Sequence, residues 1–343
     1  MSTFDYNINQ QLNIPHGVLE YIAGFDPQEI WEARGIKRNH LRIKKLQNKN
    51  DNELKQVINT SEFESKLTNF IKESLGLFNA LIAKDQKIIS KYIGDKEFYF
   101  IVGVGRTGGT YLMKEVSKAL EFPMKKLLPS IIHDTLPSAG FIMDGLDRDK
   151  VGWTNIEKWN IGWRKPNNYF NLLFEIASFL VYIKRTVGNQ KKIVKKKDWL
   201  CLCLNLLDEI FGEQANYIIT VRHPAAITAS KLDKQGALGV RVNNKEKRRR
   251  LFKIWEVIYT ETLRDGIPQG EITPVLYGPD MDEFLYNFFR NNGLEDKPEG
   301  VKIANRNYDY EYWNQEEFIN RMERVKELWD WHGLDFPLPK EIL

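Results

Sequence analysis

A strongly apolar run at residues 98–104 is followed at once by a glycine-rich turn and then by a segment with helical spacing. This order is typical of a buried strand that leads through a tight loop into a helix. The backbone N–H groups of such a loop and the positive end of the helix converge on one point, where they can hold an anion. Glycine suits the turn because side chains would block the anion's approach. The segment therefore predicts a phosphate-type site at the end of a strand.

This loop matches the nucleotide-triphosphatase pattern Gly-x-x-x-x-Gly-Lys-Ser/Thr only in part. Gly103, Gly108 and Thr110 fit the two glycines and the hydroxyl residue of the pattern. Gly109, however, stands where the pattern requires lysine, and a cation is found instead inside the loop at Arg106. The absence of this lysine weakens an interpretation of the chain as a kinase or ATPase.

The stretch from Arg106 to Tyr111 resembles the phosphosulfate loop of the sulfotransferases that use 3′-phosphoadenosine-5′-phosphosulfate, which commonly reads Lys/Arg-Ser-Gly-Thr-Thr-Trp. The resemblance implies that this cofactor is bound by the loop. Tyr111 falls where the family often has tryptophan, so it could stack on the adenine or pack in the core. The residues implied in cofactor binding are Gly105, Arg106, Thr107, Gly108, Gly109, Thr110 and Tyr111.

A second motif lies downstream, where the β-rich run at residues 215–221 leads into Arg222. Ser230 follows in a stretch of small residues with helical spacing. This resembles the family's 3′-phosphate site, and the resemblance implies that Arg222 and Ser230 bind that phosphate. An arginine fork can bind phosphate with two hydrogen bonds, and a hydroxyl adds a further donor. His223 is predicted to be a loop residue beside this arginine.

Between the two motifs, residues 193–199 and the leucine-rich stretch at 200–211 resemble the strand and helix that usually precede this arginine in the family. Trp199 stands where the family often has proline. This difference affects the turn expected at that position and leaves the resemblance of the strand and helix unchanged. Residues 273–276 read as a further strand and residues 281–293 as a further helix. The chain thus repeats a strand-then-helix order after its first loop.

This order predicts an α/β fold with a central parallel sheet and flanking helices, as the P-loop, sulfotransferase-like resemblance also implies. Residues 1–95 differ, because they show helix-like spacing with few strand signals, and the resemblance does not cover them. We therefore expect two parts: a helical N-terminal extension at 1–95 and a sulfotransferase-like α/β domain at 96–343.

Composition narrows the class of protein. The chain is 42% hydrophobic with a formal net charge of +4, which suits a globular enzyme and gives no basis for a nucleic-acid partner. The longest apolar run is far shorter than the roughly 20 residues of a membrane span, and no signal peptide is visible. Cys201 and Cys203 are too close for an unstrained disulfide, so buried free thiols are predicted. A cytoplasmic enzyme without a membrane partner is expected.

The chemistry implied by the resemblance is transfer of a sulfuryl group from the donor's mixed anhydride to a hydroxyl or amine of an acceptor. It needs a base, an in-line arrangement and positive charge on the departing oxygen. Arg106 resembles the residue that supplies this charge, and Thr107 and Thr110 would add hydroxyl donors. No metal is expected, because these donors stabilise the leaving group and the sequence shows no carboxylate set of the kind that Mg²⁺ requires.

The catalytic base is predicted in the segment after the first helix of the α/β domain, where family members have a histidine or glutamate. His133 is the better candidate because the ordinary pKa of histidine lies near working pH. Asp134 could serve instead or could orient the imidazole. His133 could equally be a structural polar residue at the end of a strand, so both interpretations stay open.

Two other function classes also stay open. A P-loop nucleotide kinase would share the loop but should have lysine in place of Gly109, and a non-catalytic nucleotide-binding protein would retain the motifs but lack a base. The acceptor is a small molecule or a glycan that the sequence does not identify. Four aromatic residues that lie close together in the sequence could line the acceptor-binding site or could belong to the core: Trp153, Trp159, Trp163 and Tyr169.

Overall fold

The computed structural model of the chain describes residues 14–35, 52–58, 60–133, 166–236, 244–295, 298, 300–301 and 316–339. Its helices include α1 (His16–Ile22), α2 (Pro27–Gly35), α3 (Ser61–Ala83), α4 (Gln86–Ile93), α5 (Gly109–Ala119), α6 (Pro129–Ile132), α7 (Pro166–Val187), α8 (Leu204–Phe211), α9 (Pro224–Gly236), α10 (Asn244–Glu261), α11 (Pro279–Asn291) and α12 (Glu316–Trp331). Its strands are β1 (Glu97–Gly103), β2 (Lys192–Lys196), β3 (Ala215–Val221) and β4 (Glu271–Leu276).

The four strands form one parallel sheet in the order β2–β1–β3–β4. Phe100 of β1 lies in register with Lys195 of β2 and Tyr217 of β3. Parallel neighbours need crossover connections, and helices lie between consecutive strands along the chain. The prediction of an α/β protein with a central parallel sheet is therefore confirmed.

The central strands are buried on both faces, which explains why their sequences are continuously apolar rather than alternating. On one face, Phe98 and Phe100 pack against Phe211 of α8, with ring centroids 4.5 and 5.2 Å apart. On the other face, Ile101 lies beneath Gly109, the first residue of α5. The sheet thus holds the start of α5 directly above the end of β1.

The described residues divide into two compact units. One contains the residues up to Lys96 together with 123–133 and 166–191, and the other contains 97–122 and the residues from Lys192 onward. The two later stretches of the first unit lie in the connection between β1 and β2, so the chain passes from one unit to the other more than once. The first such passage falls between Lys96 and Glu97.

In its described residues the first unit consists of helices, of which α3 and α7 are the longest. Thr60 caps α3 by accepting the N–H of Phe63 at 3.2 Å. The Nε and Nη2 of Arg185 on α7 donate to one carboxylate oxygen of Glu73 on α3, at 2.9 and 2.7 Å. Exposed pairs of this kind contribute about 1 kcal/mol or less, so burial of the apolar helix faces supplies most of the stability.

In the part of the chain that the structure describes, no helix combines the length and apolar character that would let it cross a membrane. Cys201 and Cys203 are buried and free, which confirms the prediction for both thiols. Burial raises the pKa of the Cys201 thiol, which disfavours the nucleophilic thiolate form.

Candidate anion-binding site

The loop between β1 and α5 has a backbone that most residues cannot adopt. Gly103 and Gly108 have φ angles of 131° and 88°, in the region that favours glycine. A Cβ at Gly103 would lie 2.5 Å from the carbonyl oxygen of Thr220, and one at Gly108 would overlap the ring of Tyr277. These two glycines therefore allow β3 and the end of β4 to close tightly on the loop.

Arg106 is in the same backbone region, with a φ of 82°, although it is not glycine. This conformation costs roughly 1–2 kcal/mol for an ordinary residue, and such strain is typical of functional loops. The Arg106 side chain is exposed, and its Nε donates a hydrogen bond to the Oγ of Ser230 at 2.9 Å. The guanidinium is therefore held at the mouth of the loop.

Thr107 fastens the loop to the sheet from the inside. Its Oγ1 lies 2.7 Å from the carbonyl oxygen of Val104 and 2.5 Å from the Oγ1 of Thr220. Thr220 in turn donates to the carbonyl oxygen of Val102 at 3.0 Å. These buried contacts join the end of β1 to β3, so the loop is fixed at its base. Thr110, in the first turn of α5, is exposed, and Tyr111 beside it is half-buried.

The two sequence motifs meet at this point. Besides the contact between Arg106 and Ser230, Arg222 donates from Nη1 to the carbonyl oxygen of Arg106 at 3.0 Å. Arg222 is 7% exposed and Ser230 is 3% exposed. The three residues lie at the carboxyl ends of β1 and β3, the edge at which open parallel sheets bind ligands. The structure thus brings together Arg106, Arg222 and Ser230.

Two aromatic residues outside the sequence motifs hold Arg222 in place. Its guanidinium carbon lies 4.0 Å from the centroid of the Tyr277 ring, a cation–π arrangement. The indole Nε1 of Trp255 on α10 donates to the Arg222 carbonyl oxygen at 2.9 Å. Tyr277 directly follows β4, so its place after a predicted strand was the one sequence signal that could have identified it. The result is a guanidinium positioned before any ligand arrives.

A buried ion pair that the sequence interpretation missed lies beside the loop. The Nζ of Lys196, the last residue of β2, is 2.6 Å from Oδ1 of Asp198, and their side chains are 5% and 14% exposed. A Cβ at Gly109 would lie 3.2 Å from the Lys196 Cε, and one at Gly105 would lie 2.9 Å from the Asp198 Oδ2. The run of three lysines at 195–197, at the end of a buried strand, was the available signal.

His223 lies beside Arg222 as predicted, but its side chain has a structural task that the sequence interpretation missed. Its Nδ1 accepts the N–H of Ala225 at 3.1 Å, so it serves as a cap for α9. The residue is 5% exposed, and burial lowers the pKa of His223 to about 4. The imidazole is therefore neutral at pH 7 and carries its proton on Nε2.

The burial of the His223 imidazole predicts that the protein loses stability in mild acid. The pKa of His223 in the folded protein lies below the ordinary value of 6.5, so on acidification the unfolded chain takes up the proton first. The protein therefore loses stability as pH falls from about 6.5 to about 4. Over this whole range the free energy of unfolding falls by roughly 3 kcal/mol. Urea unfolding from neutral pH down to about pH 4.5 measures it, and His223→Asn, which keeps a cap acceptor but does not titrate, should show a flatter pH profile. Equal slopes for the two proteins would contradict this role.

His133 belongs to the first compact unit. Its backbone N–H donates to the carbonyl oxygen of Pro129 at 2.9 Å and so ends α6. The imidazole is half-buried and meets the Trp31 ring edge-on, with centroids 5.9 Å apart. Asp134 lies outside the described residues, as do Trp153, Trp159 and Trp163. Tyr169 is half-buried on α7, where its ring contacts Phe170.

The described residues of this site that are named above carry an excess of positive charge. Arg106, Arg222 and Lys196 supply three positive charges against one negative charge from Asp198. In the part of the chain that the structure describes, no three His, Cys, Asp or Glu side chains lie close enough to hold a metal ion. The chemical capacity of this arrangement is to bind a polyanion through backbone N–H groups, two guanidinium groups and hydroxyls.

Comparisons with protein-family models, with curated proteins and with solved structures gave no match to this chain. The functional interpretation therefore depends on the geometry of the loop and of the residues around it. The sulfotransferase resemblance is carried by two short motifs, residues 106–111 and the pair Arg222 and Ser230, and these are the residues from which a function can be argued.

Proposed function

We propose that this protein is a sulfotransferase that takes 3′-phosphoadenosine-5′-phosphosulfate as its sulfuryl donor. The observation that carries the proposal is the 2.9 Å hydrogen bond between Arg106 and Ser230, which joins the two motifs into one site. The donor carries anionic groups at both the 5′ and the 3′ position of its nucleoside. The site matches this pattern of charge, because the loop can bind the 5′ group while Arg222 and Ser230 bind the 3′ group.

Each part of the site has a role in this proposal. The loop N–H groups and the N-terminus of α5 bind the phosphosulfate, and Arg222 and Ser230 bind the 3′-phosphate. Arg106 stabilises negative charge on the bridging oxygen as the sulfur–oxygen bond breaks. The sulfuryl group passes to an acceptor hydroxyl or amine, whose proton goes to a base. We assign the base to His133, with Asp134 as the alternative.

The chemical balance needs no further reactant. One sulfur–oxygen bond of the anhydride breaks, one bond forms between sulfur and the acceptor heteroatom, and the bisphosphate nucleotide leaves with the bridging oxygen. Because arginine keeps its proton at any working pH, Arg106 acts through charge and hydrogen bonding, not as a proton donor. The exposed Thr110 hydroxyl and the backbone N–H groups of the loop share the ground-state binding of the donor.

The 3′-phosphate contact gives the first functional prediction. We expect Arg222→Ala to weaken binding of 3′-phosphoadenosine 5′-phosphate by about tenfold or more, because a charge-assisted hydrogen bond is worth on the order of 1.5–3 kcal/mol. The same change should alter AMP affinity much less, since AMP lacks the phosphate that Arg222 binds. Calorimetric titration of both nucleotides into both proteins measures the difference directly.

A matched control is Arg264→Ala, which removes an arginine that pairs with Glu261 at 2.8 Å and is 45% exposed in its side chain. This variant should bind both nucleotides like the unaltered protein. If Arg222→Ala weakens AMP and the bisphosphate equally while its thermal unfolding is unchanged, Arg222 does not recognise the 3′-phosphate, and the assignment of the second anion site fails.

A further inference from the structure

Two aromatic side chains of α10 bind the backbone at the end of β3, where the two sequence motifs meet. The hydroxyl of Tyr259 donates to the carbonyl oxygen of Thr220 at 2.6 Å. The indole Nε1 of Trp255, one helical turn earlier, donates to the carbonyl oxygen of Arg222 at 2.9 Å. Both aromatic side chains are fully buried. Because a buried backbone carbonyl needs a hydrogen-bond partner, these two donors fix the peptide groups that they bind.

The geometry of strand and helix explains why one helix can make both contacts. The Val221 carbonyl oxygen accepts the N–H of Tyr277, which follows β4, at 2.8 Å. Because successive carbonyls of a strand point to opposite sides, those of Thr220 and Arg222 are expected to point away from β4. Two residues of a strand span about 6.6 Å and four residues of a helix rise about 6 Å, so the two donors match the two carbonyls in spacing.

Tyr259 is joined to the loop as well as to β3. Burial raises the pKa of the Tyr259 hydroxyl, and a hydrogen bond from the backbone N–H of Val104 opposes this rise. Val104 is the first residue after β1, and its carbonyl oxygen accepts the Thr107 hydroxyl at 2.7 Å. The Tyr259 hydroxyl therefore lies at the base of the loop, whereas the Trp255 indole contacts Arg222 of the second motif.

α10 is itself held by α12 and by the residues that follow α12. The indole Nε1 of Trp329 donates to the carbonyl oxygen of Tyr259 at 2.8 Å. The Phe336 ring meets the Tyr259 ring edge-on, with centroids 5.2 Å apart. Arg321 donates from Nε to a carboxylate oxygen of Glu256 at 3.0 Å. A side chain can position a neighbouring backbone only if its own helix is fixed, and these contacts meet that condition.

We propose that Tyr259 and Trp255 are positioning residues, each of which holds one of the two anion-binding motifs. Tyr259 holds the loop that binds the 5′ anionic group, and Trp255 holds Arg222 where its guanidinium meets the 3′-phosphate. These roles rest on the proposed function for the identity of the two groups. Because the two halves of donor recognition depend on two different side chains, each half can be weakened separately.

The competing explanation is that both side chains only stabilise the core, since buried tyrosine and tryptophan usually have a hydrogen-bond partner. A purely structural role predicts that loss of either donor destabilises the protein and changes all anion affinities alike. Separate positioning predicts two different patterns. Phenylalanine at either position distinguishes the explanations, because it keeps an aromatic ring and removes the donor.

Calorimetric titrations of inorganic pyrophosphate, AMP and 3′-phosphoadenosine 5′-phosphate measure these patterns, at a temperature where every variant is folded. Tyr259→Phe should weaken all three ligands by about three- to tenfold, the size of one buried hydrogen bond, with an unchanged ratio of bisphosphate to AMP affinity. Trp255→Phe should lower that ratio by about three- to tenfold and leave pyrophosphate binding almost unchanged.

Trp329→Phe is the matched control. It makes the same chemical change in a neighbouring buried indole, whose hydrogen bond goes to the Tyr259 carbonyl oxygen and not to either motif. The control should lower the melting temperature and leave the three affinities unchanged. A loss of selectivity in Trp255→Phe is then due to the contact with Arg222, because both variants lose an indole donor from the same aromatic cluster.

A second measurement is independent of the nucleotide that the protein uses. The nuclear magnetic resonance signal of the Arg222 side chain, assigned by its loss in Arg222→Ala, reports on the Tyr277 ring, whose centroid lies 4.0 Å from the guanidinium carbon. Trp255→Phe should shift this signal more than Tyr259→Phe or Trp329→Phe does, because only Trp255 binds the Arg222 carbonyl oxygen among these three side chains.

Three results would overturn the proposal: parallel changes of all affinities in Trp255→Phe and Tyr259→Phe, unchanged affinities in both variants, or no binding of pyrophosphate by the unaltered protein. Failure of the proposed function has a different signature. If the unaltered protein binds the bisphosphate no better than AMP, the proposed sulfuryl donor is wrong. Weaker pyrophosphate binding in Tyr259→Phe and a shifted Arg222 signal in Trp255→Phe would then still establish the two roles, and the absence of either would refute them.

Discussion

Replacement of Arg106 by alanine is expected to lower kcat by about 10²–10³-fold, the usual effect of removing one donor from a transition-state charge site. Affinity for the product nucleotide should fall much less. In the proposed mechanism the Arg106 guanidinium interacts most strongly with charge that develops as the bridging oxygen leaves, whereas ground-state binding is shared with the backbone N–H groups of the loop. Turnover with an acceptor found by screening hydroxyl and amine compounds, together with nucleotide titration, separates the two effects.

The Arg106→Ala substitution leaves the backbone contacts of the loop in place. Alanine retains the backbone carbonyl that accepts the hydrogen bond from Arg222, so one of the two contacts between the motifs persists. Ser230 loses the Arg106 donor but stays buried on α9. Arg106→Lys, which keeps the positive charge, should retain more activity than Arg106→Ala. An Arg106→Ala protein with full turnover would contradict the role assigned to the loop.

Replacement of His133 by alanine is expected to lower turnover by about 10²–10⁴-fold, the usual contribution of a general base. Nucleotide affinity should be almost unchanged, because the proposed contacts to the nucleotide come from the loop, Arg222 and Ser230. The rate of the unaltered protein should fall in acid as the imidazole takes a proton, provided that chemistry limits turnover. Steady-state rates across pH, with folding followed by circular dichroism, test this prediction.

His332→Ala is the matched control for this experiment, since that imidazole packs beside the exposed Trp331, with ring centroids 4.7 Å apart, and is not a predicted base. It should leave the rate and its pH profile unchanged. A His133→Ala protein with full turnover would remove His133 from the mechanism and direct attention to Asp134. In that case the contact of His133 with Trp31 would be its main contribution.

The fold and the centre of the site follow from signals that are local in the sequence. The apolar runs of β1 and β3 predict buried strands of a parallel sheet, and the glycines that follow β1 predict a tight turn between this strand and a helix. The resemblance implies that the loop around Arg106 and the later Arg222 bind one cofactor. The structure places the two residues in contact, because Arg222 donates a hydrogen bond to the Arg106 carbonyl oxygen.

Other parts of the site depend on strand order, which the sequence does not reveal. Lys196 reaches Gly109 because β2 is the neighbour of β1, and Tyr277 covers Arg222 because β4 is the neighbour of β3. From sequence alone, a lysine run is most simply interpreted as a solvated surface and an aromatic after a strand as core. Residues far apart in the chain thus acquire their roles only through tertiary packing.

The central claim is that the site recognises a nucleotide with anionic groups at both its 5′ and 3′ positions, and calorimetric titration of the unaltered protein tests it most directly. The ligands are 3′-phosphoadenosine 5′-phosphate, AMP and ATP, each with and without a chelator of divalent metals. The proposed function predicts that the 3′-phosphorylated nucleotide binds at least about tenfold more tightly than AMP, with no dependence on metal. Equal affinity for AMP and the 3′-phosphorylated nucleotide, or tight Mg²⁺-dependent binding of ATP, would contradict it.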